Sequence, residues 1–146
     1  MSYCARADIE SVFGVENVKQ WADLDNDEVS TKIAARITAA IAYAQAEVDD
    51  RLRGGPYTPP LDEPPPSVIT DIAAKLAGVW MYENRGVRDY NPDTGEAEHR
   101  LTFQKDDAEK KLREIRVGLR RLDLADRMHA PQVVDLTEYD YYDDEV

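Results

Sequence analysis

One cysteine, two histidines and two phenylalanines in 146 residues leave this chain poor in the groups that usually carry chemistry. The lone Cys4 cannot close an intramolecular disulfide and has no partner at zinc-like spacing, so its expected role is a small, partly buried hydrophobe. His99 and His129 stand in separate polar segments without a paired Cys or His, and both read as exposed polar residues. No run approaches the ~20 apolar residues that a membrane-spanning helix needs. The N-terminus lacks the basic and apolar regions of a secretory signal, which places the expected site of action in the cytoplasm where the chain is made. There is no GxSxG, HExxH or GxxxxGK[ST] motif, and Gly54-Gly55 runs into Pro56 with no Lys-Ser/Thr partner. Carboxylates abound, but without a predicted pocket their number does not argue for acid–base catalysis. No catalytic residue, cofactor or metal set is expected, and the chain does not read as an enzyme.

Large aliphatic side chains are scarce as well. Ile, Leu, Val and Phe total 31 residues, while alanine, with 17, is the commonest apolar residue. That share lies close to the ~20% below which highly charged chains tend to stay disordered. Folding is expected, with a thin core that neighbouring molecules help to cover. The length suits one domain plus extensions.

Bases are outnumbered. The net charge is −12, and half of that excess falls in residues 131–146, which hold six acids and no base. Residues 100–121 show the reverse, with eight bases against four acids. A basic helix is thus followed by an acidic tail. The plain account is a solvated helix face and a solubilising tail. The sharper one is that helix and tail meet opposite charges on other subunits. Binding nucleic acid as the main task is disfavoured, because phosphate affinity needs a net basic surface.

The apolar spacing is helical throughout. Asp8, Ile9, Val12 and Phe13 suggest a short helix stopped at Gly14, followed by a second short turn from Val15 to Trp21. Asp25 and Glu28 have capping-box spacing for a long helix. Its stripe, Val29, Ile33, Ile37, Ile41, Ala44, Val48 and Leu52, recurs at steps of four and three and keeps one face buried. Gly54-Gly55 supplies a helix stop. At ~1.5 Å per residue, Val29 to Arg53 spans about 37 Å, so one end is expected to project or to lie on another subunit. Six prolines between Pro56 and Pro66 stiffen the next connection. A third helix is expected over Ser67–Asn84, with Ile69, Ile72, Ala73, Leu76, Val79 and Trp80 inward and Gly86 at its end. Residues 87–100 read as an exposed loop or small hairpin. A last helix is expected from Lys105 to Ala125, carrying Ala108, Leu112, Ile115, Leu119 and Leu122 on one stripe. Trp21 and Trp80 read as core anchors. The expected fold class is all-α, a small bundle of about four helices with an extended acidic C-terminal tail.

Two acidic stretches imitate calcium loops. Asp23, Asp25 and Asp27 have the opening spacing, but Glu28 stands at the glycine position and Ala34 at the closing glutamate. Asp89, Asn91 and Asp93 fail likewise, at Thr94 and Arg100. Helix capping accounts for the first and turn formation for the second.

In this order the elements resemble the small helical head–tail connector (adaptor, or head-completion) proteins of tailed phages, including the Mu-like branch found in prophages. The likeness runs from about Tyr3 to Leu122. Tyr3, Ala7-Asp8-Ile9 and Phe13-Gly14 are similar to the family's opening. Ala42 to Leu52, Pro56-Tyr57, Pro59-Pro60-Leu61, Pro65 and Ile72-Ala73 form its most family-like part. Ala108-Glu109, Leu112, Ile115 and Gly118 are similar to its closing helix.

The resemblance implies a structural virion protein at the head–tail interface. Copies, twelve in the family, would form a ring beneath the portal protein, extend the DNA channel and offer a docking site to a stopper or tail-completion protein. DNA would only pass through, and no membrane would take part. Residues 1–125 would be the helical connector domain and 126–146 an acidic, Tyr-rich C-terminal arm. Val133, Val134, Leu136, Tyr139, Tyr141 and Tyr142 are the candidates for portal docking, since aromatic side chains anchor interfaces at little entropic cost. The 87–100 loop is a second candidate, for tail-side contact. Two other classes remain open at this level: an acidic regulatory or DNA-mimicking protein, and an undetected hydrolase or metal enzyme. Within the phage reading, the neighbouring stopper or tail-completion protein is the close competitor.

Overall fold

A computed structural model of the chain describes residues 2–85, 93 and 101–122. Every regular element among them is an α-helix: α1 (Arg6–Phe13), α2 (Val15–Ala22), α3 (Ser30–Leu52), α4 (Ser67–Glu83) and α5 (Thr102–Arg116). The fold is the expected small helical bundle, with five helices in place of about four. The segment read as a short turn after Gly14 is a two-turn helix. Gly14 adopts φ 90, closing α1 and opening α2 at a single residue. That left-handed geometry costs glycine nothing and a β-carbon dearly.

The centre of the bundle is α4. Ten of its residues are buried, from Ile69 to Tyr82, and it packs against each of the other four helices. A helix that is apolar on nearly all sides belongs in an interior. Ile69 and Ile72 are fully buried, each contributing about 1.5–3 kcal/mol. Ala73, Ala74, Ala77 and Gly78 are buried too, and their small volumes let neighbouring helices come close. Alanine and glycine thus share the α4 interfaces with Ile69, Ile72, Leu76, Val79 and Met81.

The long helix α3 does not project. Its buried residues run from Ile33 through Ile37, Ala40, Ala44 and Val48 to Leu52, leaving only the first turn uncovered on that side. Ala40 takes the place expected of Ile41, which is partly buried, and Val29 is an exposed N-cap. The predicted capping box is also displaced. Asp23, not Asp25, accepts the backbone N–H groups of Asp27 and Glu28, at 3.2 and 3.1 Å. Asp25 and Asp27 instead bind Lys32 Nζ, at 2.9 and 2.5 Å. The acidic run is a turn tied to the first turn of α3.

Two tyrosines fasten the proline-rich connection. Tyr3 donates its hydroxyl hydrogen to Asp49 Oδ1 and accepts the Leu61 N–H at 2.9 Å. Tyr57 accepts the Leu122 N–H at 2.8 Å. At its C-terminus α5 stops well short of the expected Ala125. Gly118 turns left-handed at φ 81, the common helix stop. Leu119 is thereby swung out to 82% exposure, while Leu122 beyond it returns to the core at 3%. Cys4 is buried, as expected.

Candidate interaction site

The six arm residues singled out for docking, Val133, Val134, Leu136, Tyr139, Tyr141 and Tyr142, lie outside the described residues, as does the 87–100 loop apart from Asp93. His99 and His129 lie outside them as well. Among the described residues no group of three or more His, Cys, Asp or Glu is placed to hold a metal ion. No helix there is long and apolar enough to cross a membrane. Three surfaces of the described part stand out.

The first is the open face of α3. From Ala34 to Ala46 its exposed residues are Ala34, Ala35, Thr38, Ala39, Ala42, Tyr43 and Ala46. Not one is charged, in a chain that is 33% charged. Beside it, Tyr43 stacks on Trp80 at 5.5 Å, and the Arg36 guanidinium lies 4.3 Å from the centre of the same indole. Arg36 and Tyr43 are seven residues apart, two helical turns, which brings both to Trp80. That spacing was readable in advance; what hid it was the assignment of Trp80 to the inner side, where it is only partly buried. Trp21 does anchor the core's edge, packing edge-on to Phe13 at 5.3 Å and to Tyr82 at 5.4 Å.

A groove of about 190 Å³ continues past Tyr43 and Trp80, lined by Glu47, Arg51, Glu83, Lys105 and Glu109. Its charges are mutually satisfied: Lys105 Nζ lies 3.0 Å from Glu83, and Arg51 bridges Glu47 at 3.5 Å and Glu109 at 3.7 Å. Partial burial, with Glu47 and then Glu83 nearby, pushes the Tyr43 hydroxyl above its ordinary range. Between α4 and α5 a four-membered network alternates in sign. Lys75 binds Asp71 and Asp107 at 2.9 and 2.7 Å, and Lys111 binds the same pair at 3.4 and 2.9 Å. Lys75, then Lys111, hold the Asp107 carboxyl below the usual carboxylate range. These pairs clamp the two helices together.

The third surface is the outward side of α5 and the turn after it. Phe103 is 80% exposed, Val117 62% and Leu119 82%. Lys110, Arg113, Arg116 and Arg121 are exposed as well. Sequence reasoning found the basic excess here but placed Leu119 inside, because it ran the helix past Gly118.

Comparison with known proteins adds one result. The family model described as bacteriophage Mu, Gp36 matches residues 3–137. No curated protein and no solved structure matches.

Proposed function

The chain belongs to the bacteriophage Mu Gp36 family, and from that premise we propose that it is a structural virion protein, a head–tail connector. Copies assemble side by side as a ring of twelve on the portal protein. They extend the DNA channel and present a seat for a stopper or tail-completion protein. The work is assembly and not catalysis, and it requires no cofactor.

The observation that carries this reading is the uncharged face of α3. A solvated helix in so charged a chain would be expected to carry Lys or Glu there. Alanine and threonine instead give a smooth surface that a second copy can approach closely and desolvate at little cost. The net charge of −12 suits a channel component, since a surface that neutralises few phosphates does not hold DNA. The all-helical bundle favours the adaptor over the neighbouring stopper position, for which a strand-rich fold is expected.

Reconstitution tests it. Purified protein added to assembled portal rings should form a collar visible by negative-stain electron microscopy, while remaining monomeric or weakly associated by itself. Ala39→Glu with Ala42→Glu should leave the helical circular dichroism spectrum unchanged and prevent closure of the collar. Deleting residues 131–146 should abolish docking. If heads from a phage lacking this chain still join tails, the connector assignment fails.

A further inference from the structure

On a strongly acidic molecule, one local surface is cationic and apolar together. Lys110, Arg113 and Val117 fall on one face of α5, at helical spacings of three and four, with Arg116 beside them and Leu119 and Arg121 in the turn that follows. All six are exposed. Of the four α5 carboxylates, Asp107 is engaged by Lys75 and Lys111, Glu109 by Arg51 and Glu114 by Arg120, which leaves Asp106, exposed one turn before Lys110. Among the described residues no carboxylate lies within ion-pair range of Lys110, Arg113, Arg116 or Arg121. Arg113 and Arg116 in the last turn also complement the helix dipole. That account does not extend to Lys110 and Arg121, nor to two large apolar side chains standing more than 60% exposed among the cations. The turn is a firm platform: its backbone is tied to Tyr57 through Leu122 and closely packed on Gly55.

We propose that this face of α5 is the dock for the chain's own acidic segment, residues 131–146. The complement is in the sequence: six acids and no base, interleaved with Val133, Val134, Leu136 and three tyrosines. Acids meet Lys110, Arg113, Arg116 and Arg121, and the apolar residues cover Val117 and Leu119. The geometry permits it within one chain. Residues 123–130 can span at most ~28 Å, and α5 is about 22 Å long, so the segment can lie back along the helix. Tethering gives an effective concentration in the millimolar range, which favours the chain's own segment over a neighbour's. The dock stands apart from the connector assignment. Only its consequence rests on that reading: the arm is held on α5 in the free protein and must be transferred to the portal, which delays ring assembly until a portal is present.

The test uses the full isolated chain. A nitroxide is attached through Val146→Cys, since Cys4 is buried, and paramagnetic broadening is read on the backbone amides. Amides of Lys110, Arg113 and Val117 should lose about half of their intensity or more at low salt, as millimolar tethering predicts. They should recover in about 1 M salt, where the screening length is ~3 Å, and in the Arg113→Glu, Arg116→Glu variant, whose fold is checked by circular dichroism. Full intensity throughout, or broadening untouched by charge reversal, overturns the proposal. So does broadening carried from a labelled chain to an unlabelled one, which would make the occupant a second copy. Shifts of the same amides on adding duplex DNA, with none from the label, would assign the face to phosphates and also overturn it. An arm that never touches α5 yet is needed for portal capture would sink this inference and leave the connector reading intact.

Discussion

Replacing Gly78 by alanine sets two effects of known size against each other. Gly78 lies inside α4, where alanine is favoured over glycine by about 1 kcal/mol. A β-carbon there would come within 2.9 Å of Phe13 Cζ and closer still to its Cε2 and Cδ2. The ring cannot easily retreat, for Phe13 is 9% exposed and packed edge-on to Trp21, which in turn packs on Tyr82. Overpacking of this kind costs typically 1–3 kcal/mol, and here three ring atoms are involved. Steric cost should win, leaving Gly78→Ala destabilised by about 1–2 kcal/mol net of the propensity gain. Urea unfolding followed by far-ultraviolet circular dichroism measures it. The diagnostic comparison is a cycle with Phe13→Ala: once the ring is gone, Gly78→Ala should become neutral or stabilising by up to about 1 kcal/mol. A stabilised single variant, or an equal effect in both backgrounds, would refute the claim that α1 and α4 approach through this glycine.

Tyr57→Phe should leave the buried Leu122 N–H without its acceptor, costing about 1–3 kcal/mol and speeding hydrogen exchange at that amide before the rest of α5. Gly55→Ala places a β-carbon 2.8 Å from the Arg116 carbonyl oxygen and 3.2 Å from the Leu52 one; backbone yields poorly, so the melting temperature should fall with no compensating gain. The Tyr3 hydroxyl is pushed up to about 12, by burial first and by Asp49 second. Its folded pKa exceeds the unfolded value near 10, so the stability it contributes is whole below pH 10 and lost as pH climbs toward 12. A tyrosinate absorbance titration should therefore show a phenol near 12 that Tyr3→Phe removes, while the raised Tyr43 phenol stays. Asp107 titrates below its ordinary range because of Lys75 and then Lys111; its contribution is present above the unfolded carboxylate pKa and lost as pH falls below it. Lys75→Met should accordingly reduce the acid sensitivity of unfolding below about pH 4.

Much of the fold was legible because helical periodicity reports directly on burial. The stripe through Ile33, Ile37, Ala44, Val48 and Leu52 is the buried face of α3, and Ile69, Ile72, Ala73 and Val79 lie inside α4. Boundaries were less legible, for local reasons. Asp25 had capping spacing, yet the chain turns one step earlier, where Asp23 can satisfy two N–H groups at once. Gly118 looked like one residue within a periodic run, but a left-handed glycine outweighs the pattern on either side of it. The scarcity of large aliphatics suggested a thin core, whereas alanine and glycine on α4 answer it with close helix approach. Surfaces were the hardest to read. Trp80 belongs to a stripe that is buried on average, and only the neighbouring Arg36 and Tyr43 show that its ring faces out.

The tyrosine staples give the proline-rich connection a mechanical part to play. Leu61, held by Tyr3, and Tyr57, holding Leu122, sit four residues apart, so the two extremities of the described bundle are moored to one short strap. Tension on the C-terminal arm enters the molecule at Leu122. It would reach the strap through the Tyr57 bond, and the strap is tied to α3 through Tyr3 and Asp49. A pull along the arm would thus load the bundle across its width, with the Tyr57 bond as the first link to give way.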